Sequence, residues 1–518
     1  DPHSMMESLA HILAITQARV IIVDEGCAPK LNALLQSACV DAAVSAEGAS
    51  PPFAALRLIV TNGPESMISP PPPWTVPSSK TAAATVCSLD TLISPDMRRR
   101  HSALIKEASS SNDGDLTIRR RDPEDVFTLL FTSGSTGRPK GAIQTHKMWS
   151  QDTFELHLQA SPLVSCVYRP LCYATDREVL WRAISNGGRV AVFANDDMTT
   201  LFDDLQMIGP SQFSAPPRLW AMLHDRFNKD LARRLADDVA RNGPQSSLSG
   251  AIRSALLEKY ALSVGSRCTS IGVGGASVRP EVFEFMKICF QSSPQVNRVY
   301  ESYGTTENGG IAINGVIPAD VQVMLIDVPD MGFLTSNIPP QGEVCVITKD
   351  AIPGYWRDED NTAKLFYLDD KGFKWIKTGD IGEMMPNGRL KLIDRRGNVV
   401  KLANSTFISP EHLEGVFANC PSVQDVFIYA ESSWDFPLAV VTLKASSSSN
   451  GEAQGDAASP ASILTEMRAL AAQRDVNPTH VPHGVIVHSE RFTVENRLLT
   501  ISLKTARSNL RAMFQRAL

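Results

Sequence analysis

The sequence predicts an α/β fold in which buried strands alternate with helices. Segments 18–24 (ARVIIVD) and 56–61 (LRLIVT) are short runs rich in β-branched residues, and turn-forming residues bound each of them. Such runs are typical of parallel strands that are buried on both faces. The same alternation continues through segments 188–193 (GRVAVF) and 270–273 (SIGV). We therefore expect α/β layering through most of the chain.

The length and composition indicate a globular protein with more than one domain. At 518 residues the chain exceeds the size of one compact domain, and its 43% apolar and 20% charged residues are ordinary for globular proteins. Segments 69–80, 108–115 and 445–458 have the Pro-rich or Ser/Gly-rich composition of exposed loops. Directly after the last of them, Ser459 and Pro460 predict a helix start. The helix would present one apolar face, formed by Ile463, Leu464, Met467, Leu470 and Ala471.

Charge and cysteine patterns exclude several classes of function. The 50 basic and 56 acidic residues give a net charge of −6, and no basic run is long enough to follow a phosphate backbone, so nucleic acid is not an expected partner. The nine cysteines show no CxxC spacing, which argues against a zinc site or a disulfide framework. No apolar run approaches the ~20 residues of a membrane-spanning helix, and no signal peptide is recognisable. We expect a cytoplasmic protein without a transmembrane segment.

The strongest chemical signal is segment 129–141 (LLFTSGSTGRPKG), an apolar strand that runs into a loop of glycines and hydroxyls with one lysine. Glycines let backbone N–H groups approach an anion, hydroxyls add donors, and the lysine adds positive charge. A Walker A loop fails on spacing, because Arg138 and Pro139 separate Gly137 from Lys140. The candidate phosphate ligands are Thr132, Ser133, Gly134, Ser135, Thr136, Gly137 and Lys140.

This segment resembles the phosphate loop of the AMP-forming acid-activating (adenylate-forming) superfamily, and the resemblance extends from residue 131 to residue 507. It implies that ATP and Mg²⁺ are used. It also implies a large layered N-terminal adenylate-forming domain at 6–395, with residues 1–5 read as a cloning remnant, and a small mobile α+β C-terminal lid domain at 396–518.

Two further motifs carry the resemblance. In segment 303–307 (YGTTE), Tyr303 and Gly304 would contact adenine, Thr306 the α-phosphate and Glu307 the Mg²⁺ ion. Segment 274–277 (GGAS) resembles the backbone that lines the adenine and acyl pocket. Its candidate residues are Gly275, Ala276 and Ser277.

The last motifs lie towards the carboxyl terminus. In segment 378–380 (TGD), Asp380 would bind the ribose, since a carboxylate can accept from two vicinal hydroxyls. Segment 392–398 (LIDRRGN) resembles the interdomain hinge, with Arg395 reaching the nucleotide and Gly397 at the pivot, where many relatives have a charged residue. Segment 492–500 (FTVENRLLT) precedes Lys504, which would bridge the acid and the α-phosphate.

The resemblance implies activation of a carboxylic acid to an acyl-AMP, followed by transfer to a thiol of CoA or of a carrier-bound phosphopantetheine. Segments 326–333 (IDVPDMGF) and 495–500 look most like carboxylic acid reductase adenylation domains and next like long-chain acyl-CoA ligases. Fatty or aryl acids are favoured over α-amino acids, because Ala174 stands where amino-acid-activating relatives have an aspartate, although Asp176 lies near enough in sequence to compensate. The alternatives are a catalytically silent AMP/ATP-binding relative and a luciferase-like oxygenase. If the parent protein is a reductase or a multidomain synthase, this chain would be an excised part of it.

Overall fold

The computed structural model describes residues 122–133, 139–155, 163–193, 200–243, 247–291, 293–404, 406–444, 459–474, 476–500 and 504–514, and short segments between residues 8 and 88. The chain folds as two compact units, Asp1–Lys147 with Gly354–Asn361, and Met148–Pro353 with Thr362–Leu518. Of the three loop segments expected from composition, 108–115 and 445–458 lie outside the described residues.

In its described residues, the first unit contains a parallel three-stranded sheet, a short antiparallel strand pair and a longer antiparallel hairpin. Its strands are β1 (Val20–Asp24), β2 (Leu58–Asn62), β3 (Trp74–Thr75), β4 (Thr81–Ala82), β5 (Thr85–Ser88), β6 (Val126–Ser133) and β7 (Pro139–Thr145). β1 pairs with β2 and β2 with β5 in parallel, as the sequence predicts for the first two. The expectation that β1 is buried on both faces is wrong, because Val20 and Ile22 are 51% and 68% exposed while Val23 is buried. β1 is an edge strand of this sheet, and its side chains alternate between the core and solvent.

Within its described residues, the second unit holds a mostly parallel four-stranded sheet, an antiparallel five-stranded sheet, a mixed three-stranded sheet and two two-stranded pairs, one parallel and one antiparallel. Its strands are β8 (Val164–Val167), β9 (Arg189–Val192), β10 (Gln212–Ala215), β11 (Ser270–Gly274), β12 (Arg298–Thr305), β13 (Gly309–Ile313), β14 (Gln322–Ile326), β15 (Gln341–Ile347), β16 (Phe366–Leu368), β17 (Lys374–Met384), β18 (Leu390–Arg395), β19 (Val400–Lys401), β20 (Phe407–Ile408), β21 (Val423–Tyr429), β22 (Leu438–Leu443) and β23 (Gly484–His488). β10, β11 and β12 run parallel, and β13 closes their sheet antiparallel to β12. β14 to β18 form a second, antiparallel sheet.

Ten α-helices beyond residue 145 have bounds within the described residues, and most of them bury apolar side chains against the sheets or against one another. They are α1 (His146–Glu155), α2 (Ala174–Ser185), α3 (Leu201–Ile208), α4 (Pro217–Asn242), α5 (Ser249–Ala261), α6 (Pro280–Gln291), α7 (Glu359–Leu365), α8 (Pro410–Phe417), α9 (Pro460–Gln473) and α10 (Arg507–Phe514). α9 begins as predicted, because the side chain of Ser459 accepts a hydrogen bond from the Ser462 N–H and Pro460 is the first helical residue. Its side chains Ile463, Met467 and Ala471 are buried.

The core around α4 supports the parallel sheet. Trp220 of α4 is fully buried, and its indole N–H donates to the carbonyl of Gly272 in β11 at 3.1 Å. The Trp220 ring packs edge-on against Phe213 of β10 and Phe290 of α6. This cluster fixes the helices against the strands whose ends carry the candidate site.

Residues after 396 form a smaller sheet with its own core. β21 pairs antiparallel with β22, and β23 pairs parallel with β22. α8 and α9 bury Leu413, Phe417, Ile463 and Met467 in one apolar cluster. The predicted boundary between residues 395 and 396 lies inside the second unit and stays a prediction. No helix among the described residues is long and apolar enough to span a bilayer.

Candidate active site

The predicted phosphate loop belongs to the hairpin of the first unit. β6 and β7 pair antiparallel, and Thr132 stands opposite Lys140. Gly134, Ser135, Thr136 and Gly137 lie outside the described residues. The Thr132 hydroxyl oxygen is buried, and among the described residues it has no hydrogen-bond partner. The Lys140 ammonium lies 4.7 Å from the Tyr355 ring centroid. A buried hydroxyl and a nearby ammonium on facing strands suit a phosphate ligand.

In the second unit, the carboxyl ends of four strands face the same edge. β10, β11 and β12 are parallel to one another. β8 runs in the same direction beside β10, because the start of β8 contacts the residue before β10 (Ser211 N–H to the Val164 carbonyl, 2.7 Å) and the residue after β8, Tyr168, packs on Phe213 within β10. Ligands of α/β sheets bind outside such carboxyl ends. The predicted segment Gly275, Ala276 and Ser277 directly follows β11 and is exposed there.

The YGTTE motif forms the end of β12 and the turn into β13. Gly304 is required sterically, because a Cβ at this position would overlap with the carbonyl oxygen of Gly309 across the hairpin. Thr306 and Glu307 are half-buried in the turn. The Glu307 carbonyl accepts a hydrogen bond from the Ile352 N–H at 3.0 Å. The turn thus fixes the backbone that carries the candidate phosphate and Mg²⁺ ligands.

Asp380 connects three of the predicted site residues. The Tyr303 hydroxyl donates to Asp380 Oδ2 at 2.8 Å, and Arg395 Nε lies 3.3 Å from Asp380 Oδ1. Asp380 and Arg395 are register partners on β17 and β18. Asp380 is only 6% exposed. A buried carboxylate needs such partners, since desolvation of an unpaired charge is costly.

The TGD motif lies at a local irregularity of β17, which determines the direction of the Asp380 side chain. The register of β15 against β17 shifts opposite the motif, between Glu343 and Cys345. Gly379 adopts a φ of +74°, which glycine tolerates readily. Bulges of this kind redirect side chains at functional sites.

Burial raises the pKa of Asp380, and the Arg395 charge and the Tyr303 hydroxyl oppose that increase. The negative charges of Glu411 and Glu307 contribute to raising the same pKa. The Tyr303 pKa is well above its usual value because of burial and the Asp380 charge, so Tyr303 remains a hydrogen-bond donor.

Lys504 completes the group. Its pKa is lowered by partial burial, next by the positive charge of Arg395 and also by that of Arg169, while the negative charges of Glu411 and Asp380 oppose the decrease. Lys504 keeps solvent access. Within the second unit, Tyr303 and Arg395 thus contact Asp380, and Glu307 and Lys504 lie within electrostatic range of that carboxylate. The sequence places these five residues in four separate motifs.

Sequence reasoning did not identify two groups near Lys504. Glu411 lies in the first turn of α8, and its charge acts on both Asp380 and Lys504. Arg507, in α10, contacts Glu411 at 3.6 Å and Glu414 at 2.6 Å. The segment 409–411 (SPE) carries only the signal of a helix start, so the sequence offered no indication of a site residue.

Arg169 follows β8 at the same sheet edge and forms a buried ion pair. Its Nε lies 2.7 Å from Asp176 Oδ2, its Nη2 donates to Thr175 Oγ1 at 2.7 Å, and its guanidinium packs beside the rings of Tyr168 and Tyr173. Asp176, in α2, is 3% exposed. The carboxylate considered as a partner for a substrate ammonium is therefore already paired.

The hinge segment needs no glycine in the observed conformation. A Cβ at Gly397 would meet nothing within 4 Å, and Gly397 does not have a left-handed φ. Directly before it in the chain, Arg395 pairs with Asp380 and Arg396 Nη1 pairs with Glu343 at 2.9 Å.

Glu307 is suited to a metal ion that binds together with a nucleotide. Among the described residues there is no cluster of three or more His, Cys, Asp or Glu side chains that could hold a metal. Mg²⁺ is commonly held by one or two carboxylates together with substrate phosphates. Glu307, a single half-buried carboxylate, fits that arrangement.

Comparison with solved structures identifies the fold as that of adenylation domains. The carboxylate reductase adenylation domain from Mycobacterium chelonae superposes with a TM-score of 0.75 at 24% identity, over 99% of this chain and 74% of that one. The A domain of the carboxylic acid reductase from Segniliparus rugosus, in complex with AMP and a co-purified carboxylic acid, gives a TM-score of 0.75 at 22% identity, over 99% and 76%.

The family model of the AMP-binding enzymes matches residues 1–356, and this chain belongs to that family. A carboxylic acid reductase from Mycobacterium tuberculosis is 31% identical over 399 residues, which are 76% of this chain and 33% of the relative. Long chain acyl-CoA synthetase 6, peroxisomal, from Arabidopsis thaliana is 31% identical over 436 residues, which are 76% and 60%. The chain thus spans a third to about three fifths of these relatives.

We predict that Asp380→Asn weakens ATP binding far more than acid binding. The amide keeps the shape but loses the charge that strengthens hydrogen bonds from ribose hydroxyls, a loss of about 1.5–3 kcal/mol per charged bond. Steady-state kinetics would show the apparent ATP constant rising while the acid constant changes little. The exposed Asp370, changed to Asn, is the control. A rise in the acid constant alone would reject the ribose assignment.

We also predict that loss of the Lys504 proton slows adenylate formation at high pH. This decrease is the alkaline limb of the pH profile. The Lys504 amine must be protonated to act on a phosphate. Because burial lowers its pKa, activity should fall as the pH rises through a value below the ordinary lysine pKa of 10.5. Lys504→Arg should be slower but should move this limb upward, since a guanidinium stays protonated to about pH 12. The profile of kcat/KM against pH measures the limb, with exposed Lys371→Arg as control. An unmoved limb in Lys504→Arg would assign the titration to another group.

Proposed function

We propose that the protein activates a carboxylic acid with ATP and transfers the acyl group to a thiol. In the first half-reaction a carboxylate oxygen of the acid bonds to the α-phosphorus, and pyrophosphate leaves. In the second, a thiol attacks the acyl carbon, AMP leaves, and a thioester forms. Conversion to acyl-AMP supplies the leaving group that a free carboxylate lacks.

The observation that carries the proposal is the set of contacts around Asp380. Tyr303 and Arg395 both bind its carboxylate, and Lys504 lies within the electrostatic reach of Arg395 and Asp380. This arrangement offers an aromatic face, a buried acceptor for vicinal hydroxyls and two cations, which together match a nucleoside phosphate. Membership of the AMP-binding enzymes supports the same ligand.

The charged residues have separate proposed roles. Lys504 and Arg395 would neutralise charge that develops on the α-phosphate during attack, with Thr306 as a further hydrogen-bond donor. Lys140 and the hairpin hydroxyls of the first unit would bind phosphate oxygens. Mg²⁺, when bound, would supply Lewis-acid stabilisation of those oxygens, and Glu307 is the residue proposed to hold it. The intact charges at these positions count against a silent AMP-binding relative.

The acid class follows from Arg169 and Asp176. An α-ammonium group bound in the site would need an anionic partner, because an unpaired buried ammonium is costly. Ala174 offers none, and the buried Asp176 is already paired with Arg169 at 2.7 Å. We therefore propose a fatty or aryl acid as the substrate. The relatives named as acyl-CoA synthetase and carboxylic acid reductase support CoA or a carrier-bound phosphopantetheine as the acceptor.

A pyrophosphate exchange panel of fatty, aryl and proteinogenic amino acids tests the acid class. We expect exchange with at least one fatty or aryl acid to exceed that with every amino acid. Asp176→Asn is a matched comparison, since it should not create amino acid activity. Faster exchange with an amino acid than with all the other acids would refute the proposed class, and no exchange with any acid would favour the silent relative.

Lys504→Ala should separate the two half-reactions. Its ammonium acts on the phosphate during the first half-reaction, so adenylate formation should slow by orders of magnitude. Thiol transfer from chemically made acyl-AMP should stay within about tenfold of wild type, or roughly 1.4 kcal/mol. CoA and a loaded carrier protein are assayed in parallel as acceptors. Equal losses in both half-reactions would mean a structural role for Lys504, and no loss in either would remove it from the site.

A further inference from the structure

A second buried carboxylate, Asp425 of β21, lies at the base of the segment that leads to Lys504. Asp425 is 6% exposed. Its Oδ2 accepts from Arg491 Nε at 2.7 Å, from Thr442 Oγ1 at 2.7 Å and from the Phe492 N–H at 3.3 Å. Its Oδ1 accepts from the Nη2 atoms of Arg491 and Arg218, each at 3.2 Å. The buried Asp425 carboxylate thus accepts hydrogen bonds from two guanidinium groups and from a backbone N–H, in addition to the Thr442 hydroxyl.

Arg218 reaches this carboxylate from a distant part of the chain. It is the second residue of α4, directly after β10 at the sheet edge where the candidate site lies. Its Nη2 also donates to the Phe492 carbonyl at 2.9 Å. Both backbone polar groups of Phe492 are therefore held, the N–H by Asp425 and the carbonyl by Arg218.

Other contacts between the same parts are weaker. Gln424 lies 3.4 Å from Asp225 of α4, and Arg279 lies 3.4 Å from the Ala418 carbonyl. Both distances are at the outer limit of a hydrogen bond, whereas the Arg218 contact with Phe492 is of ordinary length and charge-assisted. Two of these three links to the later residues start in α4 and one starts directly before α6, and the link from Arg218 is the strongest.

Hydrogen bonds continue from Phe492 towards Lys504. The Thr493 N–H donates to Asn496 Oδ1 at 3.0 Å, and the Leu499 N–H donates to the Thr493 carbonyl at 2.9 Å. The Thr500 N–H then donates to the Lys504 carbonyl at 2.8 Å, and the Lys504 N–H to Thr500 Oγ1 at 3.1 Å.

Buried apolar side chains support this segment. Phe492, Leu498 and Leu499 pack in one core cluster with β21 residues. An anchored Phe492 therefore fixes where the turn that carries Lys504 begins, because the intervening backbone is held by packing as well as by hydrogen bonds.

We propose that Arg218 is a positioning residue that places Lys504 for adenylate formation. The inference rests on the proposed function of Lys504. Arg218 touches none of the residues assigned to the nucleotide, and it acts by holding Phe492 and Asp425 against α4. The role of these contacts is to position Phe492 and not to add stability, because a buried ion pair contributes little net stability once its desolvation cost is counted.

The structure also indicates which variant retains the fold. Without Arg218, Asp425 keeps its bidentate pair with Arg491 and its bond from Thr442, so no unpaired buried charge remains. Removal of the Asp425 charge would instead leave two guanidinium groups without their partner, which is strongly destabilising. Arg218→Met is thus the informative change, and Arg218→Lys keeps a donor that can reach one of the two acceptors.

The test is a double-mutant cycle with Lys504→Ala, measured as single-turnover adenylate formation with labelled ATP. Arg218→Met should lower the rate by about tenfold to a hundredfold when Lys504 is present, the size of effect that misplacement of a reacting group produces. It should lower the rate less than about twofold in the Lys504→Ala background, since residues that act through one another are non-additive. The ATP KM should stay within about twofold in both backgrounds. Arg218→Lys should recover part of the loss.

Arg233→Ala is the matched control, because Arg233 lies on the same helix and its exposed side chain pairs with Asp230. Its rate should equal that of the unchanged protein. An equal loss from Arg218→Met in both backgrounds would overturn the proposal, as would no loss in either. If Arg218→Met does not fold, judged by thermal melting, Arg218→Lys carries the same cycle. A Lys504→Ala single variant with full activity would show that the proposed role of Lys504 has failed as well.

Discussion

The site depends on one buried carboxylate that joins two sheets. Asp380 belongs to the antiparallel sheet through β17, and it accepts from Tyr303, which belongs to the parallel sheet through β12. Arg395 on the neighbouring strand supplies the opposite charge. Because an unpaired buried carboxylate is costly, these three side chains constrain one another, and the end of β12 is held against β17.

Several features could be predicted from local sequence, because each depends on neighbouring residues. The two strand-forming segments that become β1 and β2 and the cap at Ser459 belong to this class. Contacts between distant residues could not be predicted. Tyr303 and Asp380 are 77 positions apart, and nothing in either motif shows that the hydroxyl of one binds the carboxylate of the other. The resemblance gave them separate ligands, adenine and ribose, and those roles stay predictions.

The pairing of Asp176 could not be predicted from the sequence either. From sequence it was a possible partner for a substrate ammonium, because spacing alone cannot show whether a carboxylate is already paired. The structure places it in a buried pair with Arg169. Burial is the main cause of the lowered pKa of Lys504, and repulsion from the positive charges of Arg395 and Arg169 lowers that pKa further. A bound anion would relieve that repulsion, so the site is electrostatically prepared for negative charge before a ligand arrives.

The open surroundings of Gly397 have a consequence for the chain's entropy. Since any side chain would fit there, the glycine is not a steric requirement of this conformation. A glycine at such a position costs about 0.4–1 kcal/mol of stability relative to alanine, because it gives the unfolded chain more conformations to lose. It directly follows two arginines that are each held by a buried carboxylate, Arg395 by Asp380 and Arg396 by Glu343. These two pairs fix the chain as far as residue 396, so a rotation that begins at Gly397 would leave both of them intact. Because their carboxylates are buried, added salt would weaken them little.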